Sequence, residues 1–157
     1  MLFSPQIPLP LTPRRDNRFE NFVNGPNRAL VEAPPPDIAR ALDALIRLYY
    51  DHSLHYLSKE MWRKAMALSI EAPASPFSQR YTELDAMLSA QVCDLIAALK
   101  AGGLTRPDLD AAILGQIAFS ALNQMFIEFV KNDAMPLATL QAAVTRQTAL
   151  LASLLQP

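Results

Sequence analysis

Apolar and polar positions divide the chain into a proline-rich arm and a helical body. Eight of the 13 prolines fall within residues 1–36, and each one removes a backbone donor and fixes φ. This arm, residues 1–36, is therefore predicted to be largely irregular, and only residues 27–33 have room for a short helix between prolines. From Asp37 onward apolar residues recur at steps of three, four and seven, which is typical of amphipathic helices. Residues 37–157 are predicted to form one helical domain.

Capping residues mark the starts of the first three predicted helices of this body. Asp37 is a natural N-cap for the first helix, and Ser58 is one for the second. Ser75 precedes a proline and caps the third helix, which ends at a left-handed stop at Gly102 and Gly103.

Two further helices follow, and their patterns predict an assembly. The fourth begins at about Leu109 or Asp110, ends at Lys131 and is apolar around nearly its whole circumference, so it must pack on both sides. The fifth begins at Pro136 and repeats apolar residues every seven positions, which suits packing on a partner helix. No strand pattern competes, so we predict an all-α bundle of about five helices. We also predict a two-fold homodimer whose four-helix interface is built around Ile117, Ala121, Phe126, Val144 and Leu151.

Length, charge and cysteine content narrow the class of protein. A chain of 157 residues suits one domain. Its net charge of −1 supplies no positive field for a phosphate backbone, and residues 1–36 hold only four arginines against three acidic residues. We therefore expect no sequence-specific DNA binding by this chain alone. The single cysteine, Cys93, fits a reducing compartment, and the first residues do not form a secretion signal, so the expected location is the cytoplasm.

One segment is apolar enough to raise the question of a membrane span. Residues 111–127 carry no charge, but polar side chains such as Gln116 and Asn123 interrupt them. The stretch is also shorter than the ~20 apolar residues that a bilayer needs. We interpret it as a helix buried in protein and expect no membrane association.

The sequence offers little for catalysis or metal binding. The adjacent glycines after the third helix are not followed by the Lys and Ser or Thr of a phosphate loop. His52 and His55 are three residues apart beside Asp51, but no Glu or Cys at helical spacing completes a metal site. Neither Cys93 nor any serine has a matching base. We therefore expect no enzyme activity, no cofactor and no metal.

Aromatic and methionine residues are concentrated in the first two helices, and two interpretations stand side by side. They form either an ordinary helix-bundle core or the wall of a ligand cavity, which is typically apolar with a few polar groups. Gln91 and Asn123 lie within apolar stripes and favour the cavity, because a buried amide needs a partner. The near neutrality of this wall predicts a small, mostly apolar effector. The candidate ligand-binding residues are Tyr49, His52, Tyr56, Met61, Trp62, Met66, Gln91, Val92, Asn123 and Phe126.

Two long segments and the closing helix carry a family resemblance. The segments are LSKEMWRKAMALSIEAPASPFSQRYTELDAMLSAQV (residues 57–92) and LIAALKAGGLTRPDLDAAILGQIAFSALNQMFIEFV (residues 95–130). Over residues 37–155, about three quarters of its length, the chain resembles the C-terminal domain of TetR-type transcriptional regulators. The resemblance implies a helical domain that binds an effector between its helices and dimerises through its last two long helices.

The arm departs from this family. TetR-type regulators carry a three-helix DNA-binding head with a helix-turn-helix at this end, and residues 1–36 are too rich in proline to form one. Only FENFVNGPNRALVEA, residues 19–33, looks like the end of such a head. The resemblance therefore implies binding to operator DNA only where a separate or missing head is supplied.

A second resemblance favours a different function for the arm. QIPLPL, residues 6–11, resembles the short peptide by which several bacterial replication proteins dock on the sliding clamp. RFENFVNGPNRALVEA, residues 18–33, resembles the opening of a DnaA-like ATPase domain. Together they imply a helical adaptor that binds the clamp through Gln6, Leu9 and Leu11. A dimer module with no ligand is the third alternative.

Overall fold

Every element of the described chain is a helix. The computed structural model describes Asn21 and residues 23–157. A π-helical turn at Val23–Asn27 leads directly into the first α-helix. The all-α prediction is confirmed, and the helices are α1 (Arg28–Glu32), α2 (Ile38–Tyr56), α3 (Lys59–Glu71), α4 (Pro76–Ala101), α5 (Ala111–Lys131) and α6 (Leu137–Leu155).

The five helices predicted for the body are α2 to α6, and the short helix expected at residues 27–33 is α1. Within the described part of the arm, residues 23–32 are helical and residues 33–36 are irregular. Pro26 lies inside the π-helical turn, two residues before α1 begins at Arg28. A proline is tolerated at the start of a helix, because the N–H that it lacks would have no intrahelical partner there.

Helix ends lie where the sequence predicts them, because local side chains satisfy the free backbone groups. Asp37, Ser58, Ser75 and Asp110 each accept a hydrogen bond from the backbone N–H three residues further on. α4 ends in a Schellman motif, in which Gly103 adopts the left-handed conformation at φ +76°.

The inward face of α2 forms the centre of the core. α2 packs along α6 and also contacts α4, while α4 and α5, the two longest helices, form the most extensive contact. Tyr50 of α2 reaches α5, where its hydroxyl donates to the carbonyl oxygen of Leu122 at 2.6 Å. The side chains that share this core with less than 2% exposure include Leu42, Leu45, Ile46, Val92, Leu95, Ile96, Leu99, Leu122, Val130 and Val144.

Two basic residues anchor α3 across the end of α5. Lys59 donates to the carbonyl oxygens of Asn132 and Met135, both at 2.6 Å. Arg63 donates to the carbonyl oxygen of Val130 at 2.6 Å and pairs with Asp133 at 2.9 Å. These bonds satisfy carbonyl groups at the C-terminal end of α5, and they hold α3 against the bundle.

Two of the five residues predicted for a dimer interface are instead buried inside the chain. Phe126 is 6% exposed and Val144 is completely buried, so neither reaches a second copy while this fold is intact. The reason is helical geometry. Ile117 and Phe126 are nine residues apart, which is two and a half turns, so they lie on opposite faces of α5. Ile117 and Ala121 are exposed and Leu151 is half-buried.

The outer face of α5 also bears on the membrane question. Within the described residues, α5 is the one helix long and apolar enough to cross a bilayer by length and composition. The core helix of a soluble protein passes the same test. In this chain the other face of α5 packs along α4.

α4 and α5 approach so closely at one point that only glycine fits. A Cβ atom on Gly115 would lie 2.5 Å from both Cα and Sγ of Cys93 and 2.8 Å from its backbone nitrogen. The Cys93 thiol donates to the carbonyl oxygen of Ala112 at 3.3 Å, beside the same contact. A glycine inside a helix costs about 1 kcal/mol relative to alanine, so the contact must offset that cost.

Gly115→Ala is therefore expected to destabilise the protein, even though alanine is the better helix former. Overpacking costs about 1–3 kcal/mol or more, and here the clash is with backbone atoms that cannot rotate away. We expect the free energy of unfolding in urea to fall by at least about 1 kcal/mol. Gly102→Ala is the control, because its Cβ would lie 3.6 Å from the nearest atoms. Equal stability of Gly115→Ala and the wild type would contradict the close contact.

Candidate ligand cavity

A half-enclosed cavity lies where α2, α3, α4 and α5 meet. Its volume is about 60 Å³, which holds about four waters or a guest group of about four heavy atoms. Drug-sized ligands occupy larger pockets of roughly 300–1,000 Å³. The wall is formed by Ile46, Tyr49, Tyr50, Ser53, Trp62, Tyr81, Asp85, Leu88, Phe119, Leu122, Asn123 and Phe126.

Aromatic rings make up most of this wall and hold one another in place. Tyr50 stacks on Phe126 with ring centroids 5.2 Å apart. Trp62 meets Phe126 edge to face at 5.6 Å and Tyr81 at 6.4 Å. Edge-to-face and offset contacts of this kind add stability beyond the area that they bury. The rings therefore pack on one another around the cavity.

Three of the aromatic residues have their polar atoms bonded to oxygen atoms of the protein. Trp62 Nε1 donates to the carbonyl oxygen of Ser53 at 3.0 Å, and the Tyr50 hydroxyl donates to Leu122. The Tyr49 hydroxyl lies 3.0 Å from Gln91 Oε1 and 3.2 Å from the carbonyl oxygen of Leu88. Burial raises the pKa of both tyrosines, so they stay neutral. These residues offer apolar ring surface to a guest.

Four polar side chains in the wall have no hydrogen-bonding or ionic partner in the part of the chain that the structure describes. They are Ser53, Tyr81, Asp85 and Asn123. Burial raises the pKa of the Asp85 carboxyl. Burial, and next the charge of Asp85, raise the pKa of Tyr81. A carboxylate without a partner in an apolar wall is the feature that most needs an explanation.

The structure brings four of the ten predicted ligand residues together in the cavity wall. These four are Tyr49, Trp62, Asn123 and Phe126. The other six lie outside the wall. Val92 is completely buried in the core between helices, and Met66 packs against the same core from α3. Met61 is half-buried on α3 and does not line the cavity.

Gln91 has a different role from the one that the sequence predicts. Its Nε2 donates to the carbonyl oxygen of Val23 at 2.8 Å, and its Oε1 accepts from Asn27 Nδ2 at 3.1 Å and from the Tyr49 hydroxyl. The amide finds its partners in the chain and attaches the end of the arm to α4. Asn27 is completely buried. Its Oδ1 is the one buried side-chain nitrogen or oxygen atom without a hydrogen-bond partner among the described residues.

The end of α2 carries the remaining two candidates. His52 and Tyr56 meet edge to face at 4.8 Å, and His55 meets Tyr56 in the same way. Tyr56 is 39% exposed because it lies in the last turn of the helix, beyond the cavity. Burial, and next the neighbouring His55, lower the pKa of His52. Among the residues that the structure describes, no three His, Cys, Asp or Glu side chains come together to hold a metal.

Sequence reasoning missed eight residues of the wall, and Asp85 is the one that changes the chemistry. The wall is not neutral, in contrast to the expectation from the sequence. A signal was present in the spacing, since Asp85 follows Tyr81 by four residues and precedes Leu88 by three, which places it on the inner stripe of α4. The residues missed are Ile46, Tyr50, Ser53, Tyr81, Asp85, Leu88, Phe119 and Leu122.

The predicted clamp-binding residues, Gln6, Leu9 and Leu11, lie outside the described residues. No protein-family model, no curated protein and no solved structure matches this chain.

The raised pKa of Asp85 predicts a variant that is more stable than the wild type. The folded protein keeps a proton on Asp85 at pH values where the unfolded chain has lost it. The proton on Asp85 therefore contributes to the stability of the fold. This contribution is present below the ordinary carboxyl pKa of about 4 and is lost as the pH rises through the raised pKa. Asp85→Asn removes the charge, so we expect a higher Tm than the wild type at pH 7 and a smaller difference towards pH 4.

The matched control is Asp94→Asn, which removes an exposed carboxylate from the same helix. Its Tm is expected to follow that of the wild type at both pH values. If Asp85→Asn is less stable than the wild type at pH 7, the carboxylate has a stabilising partner and this account of the wall is wrong.

Proposed function

We propose that the helical body is the ligand-binding and dimerisation domain of a TetR-like transcriptional regulator. Its effector would bind in the cavity between α2, α3, α4 and α5. The observation that carries the proposal is the presence, in one aromatic cavity, of four polar side chains that have no partner among the described residues. Binding sites combine apolar enclosure with a few oriented polar groups, whereas cores satisfy such groups internally.

The size of the cavity limits the effector. A volume of about 60 Å³ takes a small molecule, or the head group of a larger one whose remainder lies in the open mouth. The rings provide most of the contact area, so the enclosed part has an apolar body. Asn123 and the hydroxyls of Ser53 and Tyr81 then orient its polar atoms.

The cavity is linked to the arm through one hydrogen-bonded chain. Tyr49 lines the cavity, its hydroxyl contacts Gln91, and Gln91 holds Val23 and Asn27. A regulator must transmit the occupancy of its effector site to the part that reads DNA. A guest that moves the Tyr49 ring would disturb the attachment of the arm. Operator recognition itself would need a DNA-binding head supplied separately.

Exposed apolar side chains on the last two helices support dimerisation. Four large apolar side chains are more than half exposed on the last two helices, Ile113 and Ile117 on α5 and Leu150 and Leu154 on α6. The backbone N–H of Arg106 donates to the carbonyl oxygen of Leu155 at 2.9 Å, so the loop before α5 lies beside the end of α6. We take the four exposed side chains as the proposed dimer face. Such a face on a soluble domain suits a two-fold, four-helix interface.

Ligand binding can be measured directly, because Trp62 is the one tryptophan of the chain and lines the cavity. We expect small branched alcohols such as 3,3-dimethylbutanol to change its emission in a saturable way. Asn123→Ala should weaken this binding by about 1–3 kcal/mol, since it removes a polar contact to the hydroxyl. Gln116→Ala, an exposed amide on the same helix, should leave the affinity unchanged.

The cavity is not a ligand site if saturating concentrations of such compounds, and of charged compounds of the same shape, all leave the Trp62 emission unchanged. Equal affinities in Asn123→Ala and the wild type would place the binding elsewhere.

Dimerisation is tested by placing a charge on the exposed face. We expect the wild type to sediment as a dimer at micromolar concentration and Ile117→Asp to sediment as a monomer, because a buried unpaired carboxylate opposes association. Ile70→Asp is the matched control, since Ile70 is 81% exposed on α3 and lies outside this face. It should remain dimeric. A monomeric wild type, or a dimeric Ile117→Asp, would contradict the proposed interface.

A further inference from the structure

We propose that the cavity binds the ammonium group of a small organic cation, with Asp85 as its counter-charge. This inference rests on the proposed ligand-binding function and names the chemical class of the ligand. It depends on the juxtaposition of one carboxylate with a surrounding wall of aromatic rings.

The carboxylate of Asp85 has no basic side chain as a partner in the described chain. Asp85 is half-buried and makes no ion pair or hydrogen bond there, and a carboxylate partly withdrawn from water is stabilised by a nearby cation. Arg80 is the nearest basic residue before it on α4, and its guanidinium pairs with Glu83 at 3.1 Å. Lys100 is the next basic residue along the helix, and it donates to the carbonyl oxygen of Leu109 at 2.6 Å. A cation from outside the chain would supply the missing partner.

The aromatic wall has the second property that an organic cation needs. The π-face of an aromatic ring attracts a cation, and rings that surround a methylated ammonium are a recurrent way of binding it. The hydroxyl groups of Tyr49 and Tyr50 and the Trp62 Nε1 are bonded to protein oxygen atoms. These side chains therefore offer ring surface alone to a guest. The protein already holds one such contact, with Lys59 Nζ 3.8 Å from the centroid of Phe129.

The other classes of guest fit less well. An anion would meet the carboxylate of Asp85 in an apolar setting, which is repulsive. A metal ion would find a single carboxylate, and no second His, Cys, Asp or Glu is among the residues of the wall. A neutral guest would leave the charge of Asp85 without a partner. An ammonium group with apolar substituents satisfies the carboxylate and the rings together, and its head of four heavy atoms matches the volume of about 60 Å³.

The test compares two probes of the same shape and different charge. Choline carries a trimethylammonium group, and 3,3-dimethylbutanol carries a tert-butyl group in its place. Titrations of Trp62 emission at pH 7.5 and low salt should give choline an affinity at least tenfold higher than that of the alcohol. Low salt is chosen because ionic strength screens a charge near the open mouth.

Three variants assign this preference to one carboxylate. Asp85→Asn should bind both probes within about twofold of each other, because it removes the charge and keeps the shape. Asp85→Glu should restore part of the preference for choline. Asp94→Asn, the exposed control on the same helix, should keep all of it. A melting curve for each variant establishes that it is folded before titration.

Each outcome separates the two proposals. If 3,3-dimethylbutanol binds as tightly as choline in the wild type, or if Asp85→Asn keeps the preference, the cavity binds ligands but its assignment to cations is overturned. If neither probe changes the emission of Trp62, the proposed ligand function falls together with this inference.

Discussion

The close contact of α4 with α5 at Gly115 is the constraint on which the arrangement of the site depends. The two backbones meet beside Cys93, where no side chain larger than hydrogen fits. The cavity begins at Leu88 on α4 and Phe119 on α5, five and four residues from the contact, and Asp85 and Asn123 line it at eight residues from the contact on each helix. There the space between the helices is enclosed by rings from α2 and α3. The contact at Gly115 thus fixes the register that brings Asp85 of α4 and Asn123 of α5 to the same cavity.

The elements of the fold could be predicted because their signals are local. Asp37, Ser58, Ser75 and Asp110 cap helices through bonds to residues three positions away, and Gly103 ends α4 by its own conformation. No tertiary information is needed for such features. The arrangement of the site has no comparable local signal.

The site residues were harder to predict because their role depends on which other helix they meet. Gln91 lies on an apolar stripe, as a ligand-binding amide would, but the arm reaches it and satisfies it. Phe126 and Ile117 both suit an interface by composition, and only the phase of the helix separates them. Gly115 resembles any tolerated helical glycine until Cys93 is placed beside it. Asp85 was missed because a charge on a helix usually faces solvent.

The energetics of Asp85 connect the fold with the proposed function. Desolvation of the carboxylate opposes folding, since no group in the described chain compensates for it. Sites that bind ligands commonly give up stability in this way, because a group satisfied inside the protein is not available to a guest. The polar atoms of Tyr49, Tyr50 and Trp62 differ from this carboxylate, because they are bonded to protein oxygen atoms. The proposed ammonium ligand would supply the partner that the Asp85 carboxylate lacks.

The most direct test of this account is a measurement of the pKa of Asp85. NMR of its side-chain carboxyl carbon gives this pKa with and without saturating choline. The account predicts a value above the usual range for Asp in the free protein, because burial disfavours the charged form. It predicts a lower value with choline bound, because the ammonium stabilises the carboxylate. An ordinary pKa in the free protein that choline does not change would contradict the account.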